Sequence, residues 1–261
     1  MLGLTNTLKK TAEGYPQYRT RNSVTLDGNN GYIKVDGSSD FQLNAVDFSI
    51  SGWIKFTADA SGVNNQDGTI IFQATQTPEG GDTNGVIIKY IDESGDDERI
   101  YVYHYFGSSS VSINAGSDVD WDHGEWYNIT YTYDYSESIG KLYNNGTLIK
   151  TRTSATTPDN IESDRDVFVG MSDDETDIIT CEVGLWKGTC LSAAQVTALY
   201  NNGRPRNLLS IERDTLKGYW RFNAKDDTGT NNVIDYSGEA NHGTTGSEVA
   251  SGDFDTTDVP T

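Results

Sequence analysis

The chain has 261 residues, with 39 Asp and Glu against 19 Lys and Arg, for a formal charge of −20 at pH 7. That balance argues against direct contact with nucleic-acid phosphates or with an anionic membrane, and it favours solubility, cations and neutral or basic partners. Abundant aromatics (15 Tyr, 8 Phe, 5 Trp), 27 Gly and few helix-favouring runs point to strands and turns, in a chain long enough for one sandwich with a sizeable core.

The first 21 residues carry Lys9, Lys10, Arg19 and Arg21 against Glu13, a net of +3 that leaves −23 on the remainder. A basic arm ahead of an acidic domain either docks on an acidic neighbour, another copy of the chain included, or frays as a terminus. It has no apolar stretch long enough for a signal-peptide core or a membrane span, so Sec-dependent export is not expected. Period-2 alternation between turn signals then predicts strands. Ser23–Asp27 and Tyr32–Val35 flank Gly28-Asn29-Asn30-Gly31 and read as a hairpin. Phe48–Phe56 puts Phe48, Ile50, Ile54 and Phe56 on one face and Trp53 on the other. Thr69–Ala74, Gly85–Ile91, Arg99–Phe106 and Trp126–Tyr133 follow, and Lys141–Tyr143 with Thr147–Thr151 forms a hairpin around Asn144-Asn145-Gly146.

Val167–Met171 and Ile178–Trp186 are further strands. A short helix fits Ser192–Asn201, with Ser192 as N-cap, Gly203 as stop, and Val196, Leu199 and Tyr200 at helical spacing. Leu216–Phe222 is a late strand; beyond it only Val233–Ile234 is expected to order, and the last ten or so residues to be loose. The organisation expected is a basic arm (1–21), a β-sandwich (22–245) and an acidic flexible tail (246–261). About a dozen short strands and one helix make an all-β fold of two antiparallel sheets. Cys181 and Cys190 are too few for a disulfide scaffold and lack zinc-site spacing. Free thiols are expected, with a mutual bridge left open.

Several segments, in order, resemble the laminin-G-like branch of the concanavalin A-like lectin/glucanase superfamily. SVTLDGNNGYIKV resembles its opening strand, and DFSISGWIKF its next one, with Trp53 in the family's Trp position. GEWYNITYTYD and KLYNNGTLIKT are similar to its Thr-Tyr-Asp strand and Asn-Gly hairpin. VFVGMS and CEVGLWKGTCLSAAQVTALYNNG resemble the apolar-Gly strand and the Trp strand with its trailing helix. Residues 216–243, LKGYWRF followed by IDYSGEANHG, are the sharpest match, although many relatives carry that segment first. The resemblance covers roughly residues 22–245 and implies a jelly-roll sandwich.

It also implies a Ca²⁺ site, matched here by Asp235, Asn241 and Glu182 beside Cys181, with Asp27 nearby. Cys181 stands where the family has Asp, and thiol is a poor calcium ligand, so Glu182 has to reach in. The competing reading makes Asp235-Tyr236-Ser237-Gly238 a loop held by Asx-turn bonds. For glycans, Tyr101, Tyr103 and Tyr105 share one strand face, and with Trp121 and Trp126 they form either a sugar platform or packing inside the core or a subunit interface. Catalysis is not expected. Glu162-Ser163-Asp164 begins like the glucanase Glu-x-Asp-x-x-Glu signature, but Val167 stands where the last Glu belongs. His104, His123 and His242 are scattered without a metal pattern, and the sequons at Asn128 and Asn145 read as chance.

The expected function is therefore binding or scaffolding. A lectin-like chain that starts at Met without a leader fits a virion component released by lysis, and the 216–243 segment resembles tailed-bacteriophage structural proteins. Expected partners are phage capsid or tail proteins, copies of the chain and possible host-surface glycans; nucleic acid and membrane are not. The alternative is a carbohydrate-binding module of a bacterial extracellular protein, which a linked catalytic domain would favour.

Overall fold

The computed structural model describes residues 18–27, 31–43, 45–57, 69–75, 84–91, 99–106, 109–116, 119–154, 165–171, 177–223 and 232–261. Two antiparallel sheets make a sandwich. The first runs β10 (Thr147–Thr153), β9 (Ile139–Asn144), β8 (Trp126–Asp134), β3 (Phe48–Phe56), β12 (Ile178–Lys187), β1 (Ser23–Leu26), β15 (Phe254–Asp255), with β13 (Leu216–Trp220) also paired to β12. The second runs β14 (Gly243–Thr245), β2 (Ile33–Ser38), β11 (Arg165–Val169), β4 (Thr69–Thr75), β5 (Asn84–Ile91), β6 (Arg99–Phe106), β7 (Ser109–Asn114).

Strand alternation decides what faces inward. Phe48, Ile50, Ile54 and Phe56 of β3 enter the core between the sheets, where they meet Ile100 and Val102 of β6 and Val167 and Val169 of β11. Trp53, on the opposite face, stacks on Tyr200 of α1 (Ala193–Tyr200), ring centroids 5.8 Å apart. The helix begins as its sequence predicts: Ser192 and Gln195 form a reciprocal capping box. It ends two residues earlier than the expected glycine stop, at Asn201, whose short amide side chain suits the left-handed C-cap. Its apolar stripe, with Leu208, Ile211 and Trp186, makes a second core that closes the outer face of the first sheet.

Three expectations need correction. β1 and β2 are not a hairpin: β1 pairs with β12 and β15 in one sheet, and β2 with β11 and β14 in the other, so the chain crosses the sandwich between them. The Gly-Asn-Asn-Gly stretch is a turn signal, but local chemistry does not choose which sheet receives the next strand; Gly28 through Asn30 themselves lie outside the described residues. The C-terminal residues are not a loose tail. Phe254 is only 7% exposed and joins the main core, β15 pairs with β1, and Asp258 pairs with Lys55 and accepts from Trp126 Nε1 at 3.2 Å. Nor does the sandwich begin at residue 22, since Tyr18 and Thr20 already bond to β12. The strand β7 carried too little apolar signal to be recognised, its sequence being SSVSIN.

Candidate functional site

The outward face of β6 carries the most distinctive side-chain array. Ile100, Val102 and His104 of this strand point into the sandwich and are fully buried. Tyr101, Tyr103 and Tyr105 therefore point outward, each half-buried, as period 2 requires. Their rings are nearly parallel, with centroids 5.4 and 5.7 Å apart and interplanar angles of 4° and 2°. Rings so close cannot lie side by side in one plane, which needs roughly 6.5–7 Å, the upper end of aromatic-pair separations. They overlap like shingles. The surface is a rigid stepped row of partial faces and hydroxyls rather than one flat platform.

Neighbouring strands complete it. Asn114, Ser112 and Ser110 of β7 lie directly opposite Tyr101, Tyr103 and Tyr105 and so share their face. Asn114 Nδ2 donates to the Tyr101 hydroxyl at 2.6 Å, and the exposed Ser110 and Ser112 face solvent beside the stack. Lys89 Nζ of β5 sits 5.4 Å from the Tyr103 ring centre and the Arg99 guanidinium 6.0 Å from that of Tyr101, within cation–π range. Partial burial raises the Tyr105 phenol pKa, keeping it a hydrogen-bond donor. Sequence reading missed Lys89 and Asn114, because only the strand pairing places them beside the tyrosines.

Trp121 does not belong to this face. It is 1% exposed, packed edge-on against Tyr127 (5.0 Å) and Phe56 (6.4 Å), so no sugar can reach it. Trp126 lies elsewhere on the first sheet, its indole bonded to Asp258 with Lys55 Nζ 5.6 Å from its ring.

Of the residues matched to a calcium site, Asp235, Asn241 and Glu182 are bonded to protein groups in this structure. Asp235 Oδ1 accepts from the backbone N–H of Tyr219 and Ser237, at 2.9 and 2.8 Å. Its Oδ2 accepts from Ser237 Oγ and the Asn241 N–H, at 2.7 and 3.0 Å. These bonds tie the Asp-Tyr-Ser-Gly loop to β13. The Asn241 amide donates to Asp40 and to the Lys217 carbonyl. Glu182 is spoken for by hydroxyl donors. Asp27 follows Leu26, which pairs with Ile178, roughly 13 Å along β12 from Glu182 at ~3.3 Å per residue. Among the described residues no three His, Cys, Asp or Glu side chains group to hold a metal ion. Cys181 is buried, which pushes its thiol pKa well up, and both cysteines are free.

Of the remaining candidates, Lys9, Lys10, Glu162 and Asp164 lie outside the described residues, while Arg19 and Arg21 are exposed. His104 is enclosed by Phe48, Tyr131 and Tyr133, and burial lowers its pKa to about 3. Asn128 is 2% exposed and bonded to Ser51 and the Gly52 carbonyl, so that sequon is closed to glycosylation. No helix among the described residues is long and apolar enough to cross a membrane.

Comparison with known families adds the decisive observation. The Laminin_G_3 family, described as concanavalin A-like lectin/glucanases superfamily, matches residues 27–197. The chain belongs to the concanavalin A-like lectin/glucanases superfamily. Solved structures carry the same sandwich at low identity. A heptameric SAP-like pentraxin from Limulus polyphemus is 16% identical at a TM-score of 0.52, over 72% of this chain and 86% of its own. Botulinum neurotoxin type C, which depends on two ganglioside molecules to enter cells, is 18% identical at 0.52. The binding domain of botulinum neurotoxin DC, solved with rat synaptotagmin II, is 18% identical at 0.53. Each neurotoxin match covers 69% of this chain and only 42% of the other. No curated protein sequence matches the chain. The matched range holds β2 through β12 and the first half of the trailing helix, while β1, β13, β14 and β15 lie outside it, the last two at the sheet edges.

Proposed function

We propose that this chain is a non-catalytic lectin-like domain that contacts glycans through the outer face of β5, β6 and β7. The observation that carries this reading is the outward, half-exposed stack of Tyr101, Tyr103 and Tyr105. Partial ring faces offer contact to the apolar C–H patches of a sugar, and the Ser110, Ser112 and tyrosine hydroxyls offer hydrogen bonds to its rim. A preformed rigid stack loses little side-chain entropy on binding. Membership of a lectin/glucanase superfamily supports the same ligand class, as does the ganglioside dependence of one structural neighbour. A glycan array tests it. Wild-type protein is expected to bind a subset of glycans, and Tyr103→Ala with Tyr105→Ala to weaken that binding at least tenfold, since each lost stacking contact is worth ~1 kcal/mol or more. An array with no signal, or one unchanged in the double variant, rejects this face.

For setting, we propose a virion structural role, as a capsid-decoration or fibre-associated protein of a tailed phage. The charge division supports it: a net +3 on residues 1–21 precedes −23 on the rest, and Arg19 and Arg21 stand exposed beside the buried Thr20 and Asn22. In this reading Lys9, Lys10, Arg19 and Arg21 dock on an acidic surface of the particle or of a second copy. Mass spectrometry of purified particles decides it. Many copies per particle support the role, and absence from particles leaves the carbohydrate-binding module of a bacterial extracellular protein.

A further inference from the structure

The two margins of the first sheet carry opposite charge. β10 ends the sheet on one side and β15 ends it on the other. Residues 138–154, which form β9, β10 and their flanks, hold Lys141, Lys150 and Arg152 and no acid, in a chain whose formal charge is −20. Residues 243–261, which supply β14 and β15, hold Glu248, Asp253, Asp255 and Asp258 and no Lys or Arg. Strands β9, β8, β3, β12 and β1 lie between the two margins, which puts them roughly 29 Å apart at ~4.8 Å per strand. Salt screens exposed charges beyond ~8 Å, so the margins do not neutralise each other within one molecule.

β10 is an open edge. Thr147, Leu148, Thr151, Arg152 and Thr153 are exposed, and no strand among the described residues pairs with its far side. Leu148, 47% exposed, is the one large apolar side chain so exposed among the described residues. Asp134, the carboxylate beside Lys141, is turned to Ser136 Oγ and the Glu137 N–H at 2.8 and 3.0 Å. Open edges are guarded by bulges and cations, and β10 has both, its bulge falling between Leu148 and Lys150. These guards repel one partner in particular. Two β10 strands laid antiparallel about Lys150 or Thr151 set Lys150 against Lys150 or against Arg152, and like charges directly opposite are destabilising. An acidic edge is drawn in instead, and this molecule has one. β15 pairs with β1 alone. Asp253 Oδ2 accepts from the Ala250 N–H at 2.6 Å, and Asp255 Oδ1 accepts from the N–H and hydroxyl of Thr257 at 2.6 and 2.8 Å. Those bonds fix both carboxylates without neutralising them, whereas Asp258 is already paired with Lys55.

We propose that copies of this chain associate head to tail, the basic β10 margin of one against the acidic β15 margin of the next. Lys150 and Arg152 then meet Asp253 and Asp255, and Leu148 leaves water. The contact joins two different surfaces, so every added copy leaves one margin of each sign open. Repetition gives a ring where the rotation closes and a filament where it does not, never an isolated two-fold dimer. β15 is two residues long and offers too short a ladder for a continuous sheet. Charge therefore carries the contact, which is weak and sensitive to salt. The tyrosine stack lies on the other sheet and the basic arm takes no part, so this contact stands or falls apart from both.

Sedimentation velocity of the full-length protein reads this association. At about 0.1 M NaCl a Debye length of ~10 Å screens the repulsion between acidic bodies but not pairs in contact. Wild type is expected to sediment faster there as its concentration rises, and about 1 M NaCl, with a Debye length of ~3 Å, to reverse the effect. A protein that stays monomeric up to about 0.5 mM, the range of weak contacts, overturns the proposal. Association that persists unchanged at the higher salt does so too. Lys150→Glu with Arg152→Glu reverses one margin, and Asp253→Lys with Asp255→Lys reverses the other. Each variant alone is expected to associate at least tenfold more weakly than wild type, because like charges then face each other. Mixed in equal amounts, the two variants present complementary margins again and are expected to regain association. A variant that associates as wild type does, or a mixture of folded variants no stronger than either alone, overturns the proposal. If the aspartate variant does not fold, wild type and the β10 variant still decide.

Discussion

Single residues in this protein do work that their neighbours in sequence do not reveal. His104 occupies an inward position of a strand whose outward positions are tyrosines, so it is forced among Phe48, Tyr131 and Tyr133 and fully buried. Burial lowers its pKa to about 3, whereas the unfolded chain holds it near 6.5. The unfolded state therefore takes up a proton that the folded state refuses, and stability present above about pH 6.5 is lost as pH falls toward 3. His104→Phe is expected to remove about 2 kcal/mol of the stability lost between about pH 6.5 and about pH 4.5. Urea unfolding of both proteins across that range measures it; parallel pH profiles would contradict the assignment. Glu182 shows the opposite sign. Burial raises its pKa despite the hydroxyl donors and Arg221, so its charge costs stability above the folded pKa and the cost is relieved as pH falls through it.

At the scale of elements, local sequence and local structure agree wherever the interaction is short-range. The capping box of α1 is legible in Ser192-Ala-Ala-Gln195, and the helix docks Leu199 and Val196 onto the first sheet. Ser192→Ala is expected to cost ~1 kcal/mol, read as a lower urea midpoint with an unchanged m-value. The β9–β10 hairpin turns through Asn145 and Gly146, both at positive φ, as Asn-Gly demands. Gly146 has a second constraint that sequence cannot show: a Cβ there would come within 3.1 Å of the Thr197 Cα in α1. The tyrosine stack of β6 was legible as a face, since alternation alone puts Tyr101, Tyr103 and Tyr105 together. Whether that face looked inward or outward depended on the strand's other parity, where Ile100 and Val102 are the more apolar pair and claim the core.

Across the whole molecule, the first described residues and the C-terminal segment both fasten to the first sheet. Tyr18 and Thr20 bond to Glu182 of β12, and the departing segment pairs β15 with β1 and sets Asp258 against Lys55 and Trp126. Ser23 joins the two, donating from its hydroxyl to the Asp258 carbonyl at 2.6 Å. Composition marked the last residues as acidic and loose, yet Phe254 seats them in the core with Val249 packed beside it. Phe254→Ala is expected to cost about 3 kcal/mol. Limited proteolysis should then show cleavage within residues 254–261 that wild type resists; an unaffected urea midpoint would mean the segment is dispensable.

Sequence by itself determined what depends on spacing of a few residues: strand faces, the helix cap, the Asn-Gly turn, the all-β class and a family resemblance spread over ordered short motifs. Tertiary structure alone decided what depends on pairing between distant segments. It put β1 and β2 in different sheets, buried Trp121, made Asp235 and Asn241 braces of their loop, and brought Tyr18 to Glu182 across 164 residues. The physical reason is range. A side chain's face follows from the 2-residue period of its own strand. Its surroundings follow from which strands lie beside and above it, and hydrogen-bond ladders between distant segments carry no local signature in the residues that form them.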